Sequence, residues 1–237
     1  MKVILSPSKT KTLVGTPWKP LFDAALSKEI VSHMASLSEE QLKKALKIKE
    51  DKAEEVKNFF QNYAKEVEGE ALSSYTGIAF KYLDAETLSE EGKAFAKEHL
   101  VVLSALYGIV TAGSPMKNYR LDLENPVYPK GESSLTERWK DKVSDYFKEE
   151  DWVLNLASKE YASLVSHPRL VTVIFEEEKS GVWKQLSTSS KMMRGQLARY
   201  VLEHQITAVE ELPSELAGFY KEGIEEGVVR YRKHDNR

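Results

Sequence analysis

Four side chains that could bind an anion follow the short apolar segment at residues 3–5. They are Ser6, Lys9, Thr10 and Lys11. Hydroxyls, ammonium groups and backbone amides just beyond a strand end can hold an anion, because ligands bind at this edge of an open sheet. The segment is therefore a candidate anion-binding loop, and a polar turn with solvated lysines is the alternative.

A second candidate group surrounds a predicted buried strand at residues 152–156. Asn155 lies near the end of that strand, and Ser158 stands where it would cap the next helix, with Tyr161 as the third helical residue. Asn155 and Ser158 can both face a pocket at the strand end. A purely structural cap is the other role open to Ser158.

Arg120, in the segment Tyr-Arg-Leu at residues 119–121, is a further candidate. Its planar guanidinium is suited to a phosphate or a carboxylate. The alternative is an ion pair with Asp122 or Glu124 that only fixes a loop. Lys117, three residues earlier, is a candidate cation for the same cleft.

A run of basic residues marks the helix predicted over residues 190–204. Lys191 and Arg194 are three residues apart and share one side of that helix, whereas Arg199 lies part of a turn away. No acidic residue occurs between positions 179 and 202. A basic stripe without acids is the pattern that a phosphate backbone requires, whereas a merely solvated helix usually mixes both signs.

The apolar stretch at residues 103–110 is interrupted by Gly108, directly after Tyr107. This pattern resembles the tight turn of a helix-hairpin-helix, in which backbone amides contact a DNA phosphate. The alternative is a corner between a strand and a helix, with Gly108 at a positive φ.

Several classes of chemistry are excluded by what the sequence lacks. The chain has no cysteine, which excludes thiol nucleophiles, redox pairs and thiolate metal sites. The phosphate-loop, dinucleotide-binding, nucleophile-elbow and HExxH motifs do not occur. The five histidines are scattered along the chain. We therefore expect no protein-built metal site and no cofactor.

The predicted elements mix helices with short strands. Helical periodicity dominates the first hundred residues after the first strand. Further along, we predict strands at residues 100–104 and 227–232, a hairpin at 169–187 and a helix at 135–147. Such intermixing predicts an α/β (mixed α+β) fold, with a central mixed sheet covered by helices. No linker or repeat divides the chain, so we predict a single domain over residues 1–237.

The composition, 41% hydrophobic and 30% charged residues, is that of a soluble globular protein. Its net charge of -3 hides an uneven distribution. Residues 1–20 and 179–202 together hold nine basic and no acidic side chains, out of 34 basic and 37 acidic in the chain. This distribution favours an anionic partner. No signal-peptide core or membrane-length apolar run is present, which predicts a cytoplasmic protein without a membrane partner.

Six motifs, taken in order, resemble the YaaA peroxide-stress protein family. They are Ser-Pro-Ser-Lys-Thr at 6–10, Tyr-Thr-Gly at 75–77, Leu-Ser-Ala-Leu-Tyr-Gly at 103–108, Tyr-Arg-Leu at 119–121, Asn-Leu-Ala-Ser-Lys-Glu-Tyr at 155–161, and Lys191 with Arg194-Gly195 and Arg199-Tyr200. The resemblance covers nearly the whole chain. It implies a cytoplasmic protein that protects against hydrogen peroxide by limiting free intracellular iron, with a mixed α/β fold, a positively charged cleft, a helix-hairpin-helix element and the ability to bind DNA.

The sequence departs from the family pattern at residues 111–114. Thr-Ala-Gly-Ser stands there in place of a stretch like Arg-Pro-Leu-Asp. A cation is thereby lost beside the turn that the resemblance assigns to DNA contact.

Two main functional hypotheses use the same basic cleft. In the first, the protein binds DNA phosphates through Lys9, Lys11, Lys117, Arg120, Lys191, Arg194 and Arg199. In the second, it is an enzyme acting on a nucleotide, nucleobase or other small anionic ligand, which is held by Ser6, Lys9, Thr10, Arg120, Asn155, Ser158 and Tyr161. A protein-interaction role in iron homeostasis is a third alternative. A deep closed cavity would favour the enzyme, and a long open groove would favour DNA.

Overall fold

A nine-stranded sheet organises the computed structural model, which describes residues 1–235. The expected mixed α/β fold is confirmed. The strands are β1 (Lys2–Leu5), β2 (Gly69–Glu70), β3 (Leu100–Ser104), β4 (Gly108–Thr111), β5 (Pro115–Met116), β6 (Val153–Asn155), β7 (Leu170–Lys179), β8 (Val182–Lys184), β9 (Glu215–Leu216), β10 (Phe219–Glu225) and β11 (Val228–Lys233). The main sheet runs β4-β3-β1-β6-β7-β11-β10-β9, with β8 paired to β7, while β2 and β5 form a separate pair.

The helices cluster early in the chain, as the periodicity predicts. They are α1 (Ala24–Ser36), α2 (Glu39–Leu46), α3 (Glu50–Gln61), α4 (Ala71–Ser74), α5 (Ile78–Leu83), α6 (Glu90–His99), α7 (Leu135–Phe147), α8 (Lys159–Ala162) and α9 (Ser187–Glu203). A capping box begins α2, because Ser38 and Gln41 satisfy each other's backbone amides at 2.8 and 3.2 Å. Within the described residues, no helix is both long and apolar enough to cross a membrane.

Five parallel strands, β3-β1-β6-β7-β11, form the centre of the sheet. β1, β3 and β6 are short apolar segments whose side chains are almost all buried. Parallel strands of this kind are typical of a sheet that is covered on both faces. The predicted hairpin is also confirmed, since β7 and β8 pair antiparallel around Ser180 and Gly181, both at positive φ.

The order of the strands reverses beside β1, and this reversal creates the candidate site. After β1 the chain builds β3 on one side of it, and later adds β6 on the other side. The loops that leave β1 and β6 therefore diverge and open a crevice at the carboxyl ends of the strands, where ligands bind in open α/β sheets. The candidate loops that begin at Ser6 and Leu156 both start at this crevice.

The segment at residues 103–110 is not a turn between two helices. β3 and β4 form an antiparallel hairpin there, in which Val102 pairs with Val110. The Ser104 hydroxyl accepts the turn amides of Leu106 and Tyr107 at 3.2 and 3.0 Å. Because these two turn amides are satisfied internally and the hairpin is buried, they are not available to a phosphate.

Candidate functional site

A cavity of about 410 Å³ lies at the carboxyl ends of β1 and β6. Residues from five parts of the chain line it: Leu5, Ser6, Pro7, Ser8, Lys9, Thr10, Gly77, Ile78, Ala79, Phe80, Asp122, Leu156, Ser158, Glu160, Tyr161, Lys191 and Arg194. Seven of the predicted site residues are among them. The switch of strand order therefore brings together side chains that are far apart in the sequence.

Ser6 and Ser158 join the two strand-end loops. The Ser158 backbone amide donates to the Ser6 hydroxyl oxygen at 2.7 Å, and the two hydroxyl oxygens lie 3.1 Å apart. Ser158 occupies the N-cap position of α8, as predicted, but its side chain makes no capping hydrogen bond. Its hydroxyl is instead directed towards Ser6 in the cavity wall.

Two carboxylates that the sequence predictions did not include also line the cavity. Asp122 pairs with Lys9 at 3.1 Å and accepts a hydrogen bond from the Tyr161 hydroxyl at 3.4 Å. Glu160 accepts the Glu124 backbone amide at 3.2 Å. Burial, together with the negative charges of Asp122 and Glu124, raises the pKa of Glu160. The cavity thus combines hydroxyls, cations and a carboxyl group whose pKa is shifted towards neutral pH.

Arg194 is the least compensated cation of the cavity. It makes no ion pair within residues 1–235, and its Nε is buried without a hydrogen-bond partner. Burial lowers the pKa of its guanidinium. Gly195 allows this placement, because an added Cβ would lie 2.0 Å from the Ala79 carbonyl oxygen of α5. The close approach of α9 to α5 therefore holds Arg194 at the cavity.

A wider groove of about 750 Å³ continues from the cavity and shares Lys9 and Thr10 with it. It is lined by Lys9, Thr10, Lys11, Lys52, Glu55, Val56, Asn58, Phe59, Asn62, Glu66, Asn118, Tyr119 and Arg120. We call the cavity and this groove together the strand-end cleft. Arg120 makes neither an ion pair nor a hydrogen bond in the described part of the chain, so the predicted alternative of a pair with Asp122 or Glu124 is absent there.

Lys11 lines the groove of the cleft. Its ammonium donates to the Tyr119 carbonyl at 2.9 Å and stands 4.3 Å from the centre of the Tyr119 ring. Burial lowers the pKa of Lys11 to about 8, an effect that Asp122 opposes and Arg120 reinforces.

Three predicted site residues lie in the core instead of the cleft. Tyr107 is 1% exposed, and Trp139 packs where a side chain at Gly108 would stand. Lys117 is 5% exposed, and its ammonium donates to the carbonyls of Tyr63 and Glu66, each at 2.8 Å. These buried residues therefore stabilise the fold and do not line the cleft.

Two further candidates have partners that keep them from facing a ligand. Asn155 is buried, accepts the Ala157 amide at 2.9 Å and donates to the Thr172 hydroxyl at 3.1 Å, which orders the loop after β6. Arg199 donates to the carbonyls of Leu83 and Asp84 at 3.1 and 2.8 Å. It thereby satisfies the C-terminal end of α5 and lies outside the cleft.

Tyr119, Asp122 and Glu160 are among the cleft residues that the sequence predictions missed. Asp122 and Glu160 each stood within three residues of a candidate, but adjacent charges alone do not show which side chains converge. Among residues 1–235, no group of three or more His, Asp or Glu side chains is arranged to hold a metal ion.

Fold and site define a class: an open α/β protein whose basic cleft lies at a switch point of strand order. The sequence profile described as peroxide stress protein YaaA matches residues 1–222, and the chain belongs to this family. A UPF0246 protein of Lactobacillus delbrueckii subsp. bulgaricus is 34% identical over 213 residues, covering 86% of each chain. Another, of Fusobacterium nucleatum subsp. nucleatum, is 31% identical over 224 residues, covering 90% of this chain and 89% of its own. Family membership supports a general role in peroxide stress.

Proposed function

We propose that this peroxide stress protein binds DNA along the strand-end cleft and thereby helps limit the damage caused by free intracellular iron. The observation that carries the proposal is the set of unpaired cations there. Arg120, Lys191 and Arg194 make no ion pair among the described residues, although carboxylates are abundant elsewhere in the protein. Cations without partners at a cleft are suited to replace the counterions of a phosphate backbone.

The shape of the groove also supports DNA as the ligand. One wall is α3, which begins after the short turn at residues 47–49 that joins it to α2. The groove adds Lys11, Lys52 and Arg120 to the cations of the cavity, so an extended strand could contact both parts of the cleft.

The test is the salt dependence of DNA affinity, measured by fluorescence anisotropy with a labelled duplex. We expect the double variant Lys191→Gln/Arg194→Gln to bind more weakly and to reduce the salt slope by about one per lost phosphate contact. The matched control is Lys179→Gln/Lys184→Gln, which removes the same charge from the same basic segment outside the cleft. Equal slopes for the two double variants, or no binding by the wild type at low salt, would exclude the cleft as the DNA site.

A second candidate function, an enzyme for a nucleotide or other small anionic ligand, is favoured by the cavity itself. Its volume of about 410 Å³ falls in the range of small-molecule sites. The buried Arg194 Nε lacks a partner that a ligand phosphate could supply. Calorimetric titration with a nucleoside monophosphate tests this candidate, and binding that survives in Arg194→Gln would argue against it.

A further inference from the structure

Lys11 is placed differently from the other lysines of the cleft. Its ammonium lies 4.3 Å from the ring centre of Tyr119 and 5.9 Å from that of Tyr75. Its hydrogen bond is to a carbonyl, the backbone oxygen of Tyr119. It makes no ion pair within residues 1–235, whereas the neighbouring Lys9 is paired with Asp122. Aromatic faces and a carbonyl thus surround this amine in place of a carboxylate.

The amine is nevertheless reachable from the cleft. Lys11 lines the groove that contains Arg120, and also a narrower recess that contains Asp122. The charged groups facing it are Arg120, which disfavours the ammonium form, and Asp122, which favours it. A partly buried amine without a carboxylate partner, open to a ligand groove, is the arrangement that proteins use for nucleophilic lysines.

Burial gives this amine a large share of the reactive form. With a pKa of about 8, roughly a tenth of Lys11 is uncharged at pH 7, against roughly one part in 3,000 for an ordinary lysine. Only the uncharged amine has the lone pair that attacks a carbonyl carbon. At equal access, Lys11 therefore has a kinetic advantage over exposed lysines.

We propose that Lys11 forms a reversible imine with the aldehyde of an abasic deoxyribose in bound DNA. This inference deepens the proposed function and rests on it for the placement of the sugar. The lysine first loses a proton to water. Its Nζ then bonds to C1′ of the open-chain aldehyde as the C=O π bond breaks, and a proton moves from the nitrogen to the former carbonyl oxygen. The resulting carbinolamine takes up a proton and loses its hydroxyl as water, which leaves a protonated imine. Addition of water reverses the reaction and releases amine and aldehyde unchanged.

The nearby cations suit such a ligand. Arg120 has no carboxylate partner in the described chain and shares both the groove and the recess with Lys11, so it can hold a phosphate next to the sugar. The groove is large enough for a nucleotide unit without its base, since its volume is about 750 Å³. The aldehyde thus marks a lesion that the cleft could retain covalently.

The experiment is reductive trapping with sodium cyanoborohydride on the full chain. The probe is a labelled duplex with one abasic site, and the covalent complex is quantified on a denaturing gel and mapped by mass spectrometry. We expect the adduct on Lys11, and at least a tenfold loss of trapping in Lys11→Arg, which keeps the charge but lacks a primary amine. Lys140→Arg, at an exposed lysine outside the cleft, is the matched control and should trap like the wild type.

Two measurements separate this inference from the proposed function. A duplex with a tetrahydrofuran abasic analogue has no aldehyde, so its anisotropy reports binding alone, and the trapping of each variant is compared at saturating duplex. Trapping of 2-deoxyribose 5-phosphate reports the reactivity of Lys11 without DNA. If that sugar is trapped at Lys11 but no duplex binds, the imine proposal is supported and the proposed DNA-binding function is contradicted.

The imine proposal is overturned by three results. The first is wild-type trapping, of either probe, that maps to other amines. The second is trapping in Lys11→Arg at the wild-type level while its thermal unfolding is unchanged. The third is tight binding of the tetrahydrofuran duplex with no trapping of the aldehyde duplex. Lys11→Met serves as a second variant, because it fills a similar volume and also lacks an amine.

Discussion

Cations are treated in opposite ways in the strand-end cleft and at the C-terminal edge of the sheet. At this edge, where the strand order ends in β7-β11-β10-β9, Arg232 of β11 bonds to Glu176 at 2.9 Å and to Glu222 at 2.6 Å. In the cleft, Arg194 and Arg120 have no carboxylate partner among residues 1–235. Arginine therefore stabilises the fold through ion pairs at the edge, whereas in the cleft it has no carboxylate partner among these residues and can bind a ligand.

The difference shows where the protein accepts a loss of stability. A partly buried cation without a partner is unfavourable, because desolvation is not repaid by an ion pair or a hydrogen bond. At the edge, paired carboxylates offset the desolvation cost of the guanidinium. In the cleft, no group within residues 1–235 offsets it. An anionic ligand would complete the cleft, so the stability deficit and the proposed ligand site coincide.

The largest expected effect comes from the packing that positions Arg194. Gly195→Ala would place a methyl group 2.0 Å from the Ala79 carbonyl oxygen, which forces α9 away from α5. We expect a net loss of about 2 to 3 kcal/mol in the free energy of unfolding, since overpacking outweighs the helix propensity gained. Urea unfolding measures it, and DNA affinity should fall in parallel.

The control for that variant is Gly218→Ala at the sheet edge. Gly218 has a φ of +80°, but the nearest atom to an added Cβ is 3.8 Å away. We expect only about 1 kcal/mol of backbone strain there, with DNA affinity unchanged. A cost at Gly195 no greater than at Gly218 would mean that the α5–α9 contact is not what holds the cleft.

The second prediction concerns pH and the two lysines Lys11 and Lys179. The folded-state pKa of Lys11 lies below its ordinary value of 10.5, at about 8, so the unfolded chain binds more protons between these values. Stability from this group therefore rises as the pH increases from 8 to 10.5, by at most about 3 kcal/mol. Lys179, paired with Asp235, has a raised pKa and contributes stability that is lost as the pH rises further.

The measurement is the difference in unfolding free energy between wild type and Lys11→Met at pH 7.5 and at pH 9.5. The unfolding free energy of the wild type should increase relative to that of Lys11→Met as the pH rises. Relative to Lys179→Met, the wild type should show no such increase. A difference that stays constant across this range would mean that Lys11 is not desolvated in the folded protein.

Much of the fold could be predicted from local patterns. The helix at 135–147 was expected from the sequence and is α7, and the hairpin at 169–187 is β7 and β8. The hairpin at 103–110 could not be predicted, because an apolar segment around one glycine is compatible with several types of turn. Its identity depends on Trp139, which packs on Gly108 from 31 positions away in the sequence.

The site was harder to predict because charge alone does not show what a cation contacts. Lys117 and Arg199 are as basic in sequence as Lys9 and Arg194. Carbonyls of residues 63, 66, 83 and 84 engage the first two, and only the folded chain brings these carbonyls close. Strand-end position was the more reliable signal, since Ser6 and Ser158 are both in the cavity.

The third prediction concerns the replacement of the charged side chain of Arg194 by an apolar one. Arg194→Met removes an unpaired, partly buried guanidinium and keeps an apolar side chain of similar reach. We expect it to stabilise the protein by about 1 kcal/mol, while DNA affinity falls roughly tenfold because a phosphate contact is lost. Thermal unfolding and anisotropy measure the two effects. A variant that is both less stable and unchanged in affinity would assign Arg194 a structural role.

The smallest expected effect, at Arg232, should have the opposite sign. Arg232→Met leaves Glu176 and Glu222 without their cation and removes the guanidinium from the Trp183 ring, whose centre lies 4.7 Å away. Because these groups are partly solvated, we expect a loss of only about 1 kcal/mol in unfolding free energy, and it should shrink at high salt. DNA affinity should not change. If Arg232→Met weakens DNA binding as much as Arg194→Met, the ligand surface extends to the sheet edge, and carboxylate pairing does not separate structural from functional cations in this protein.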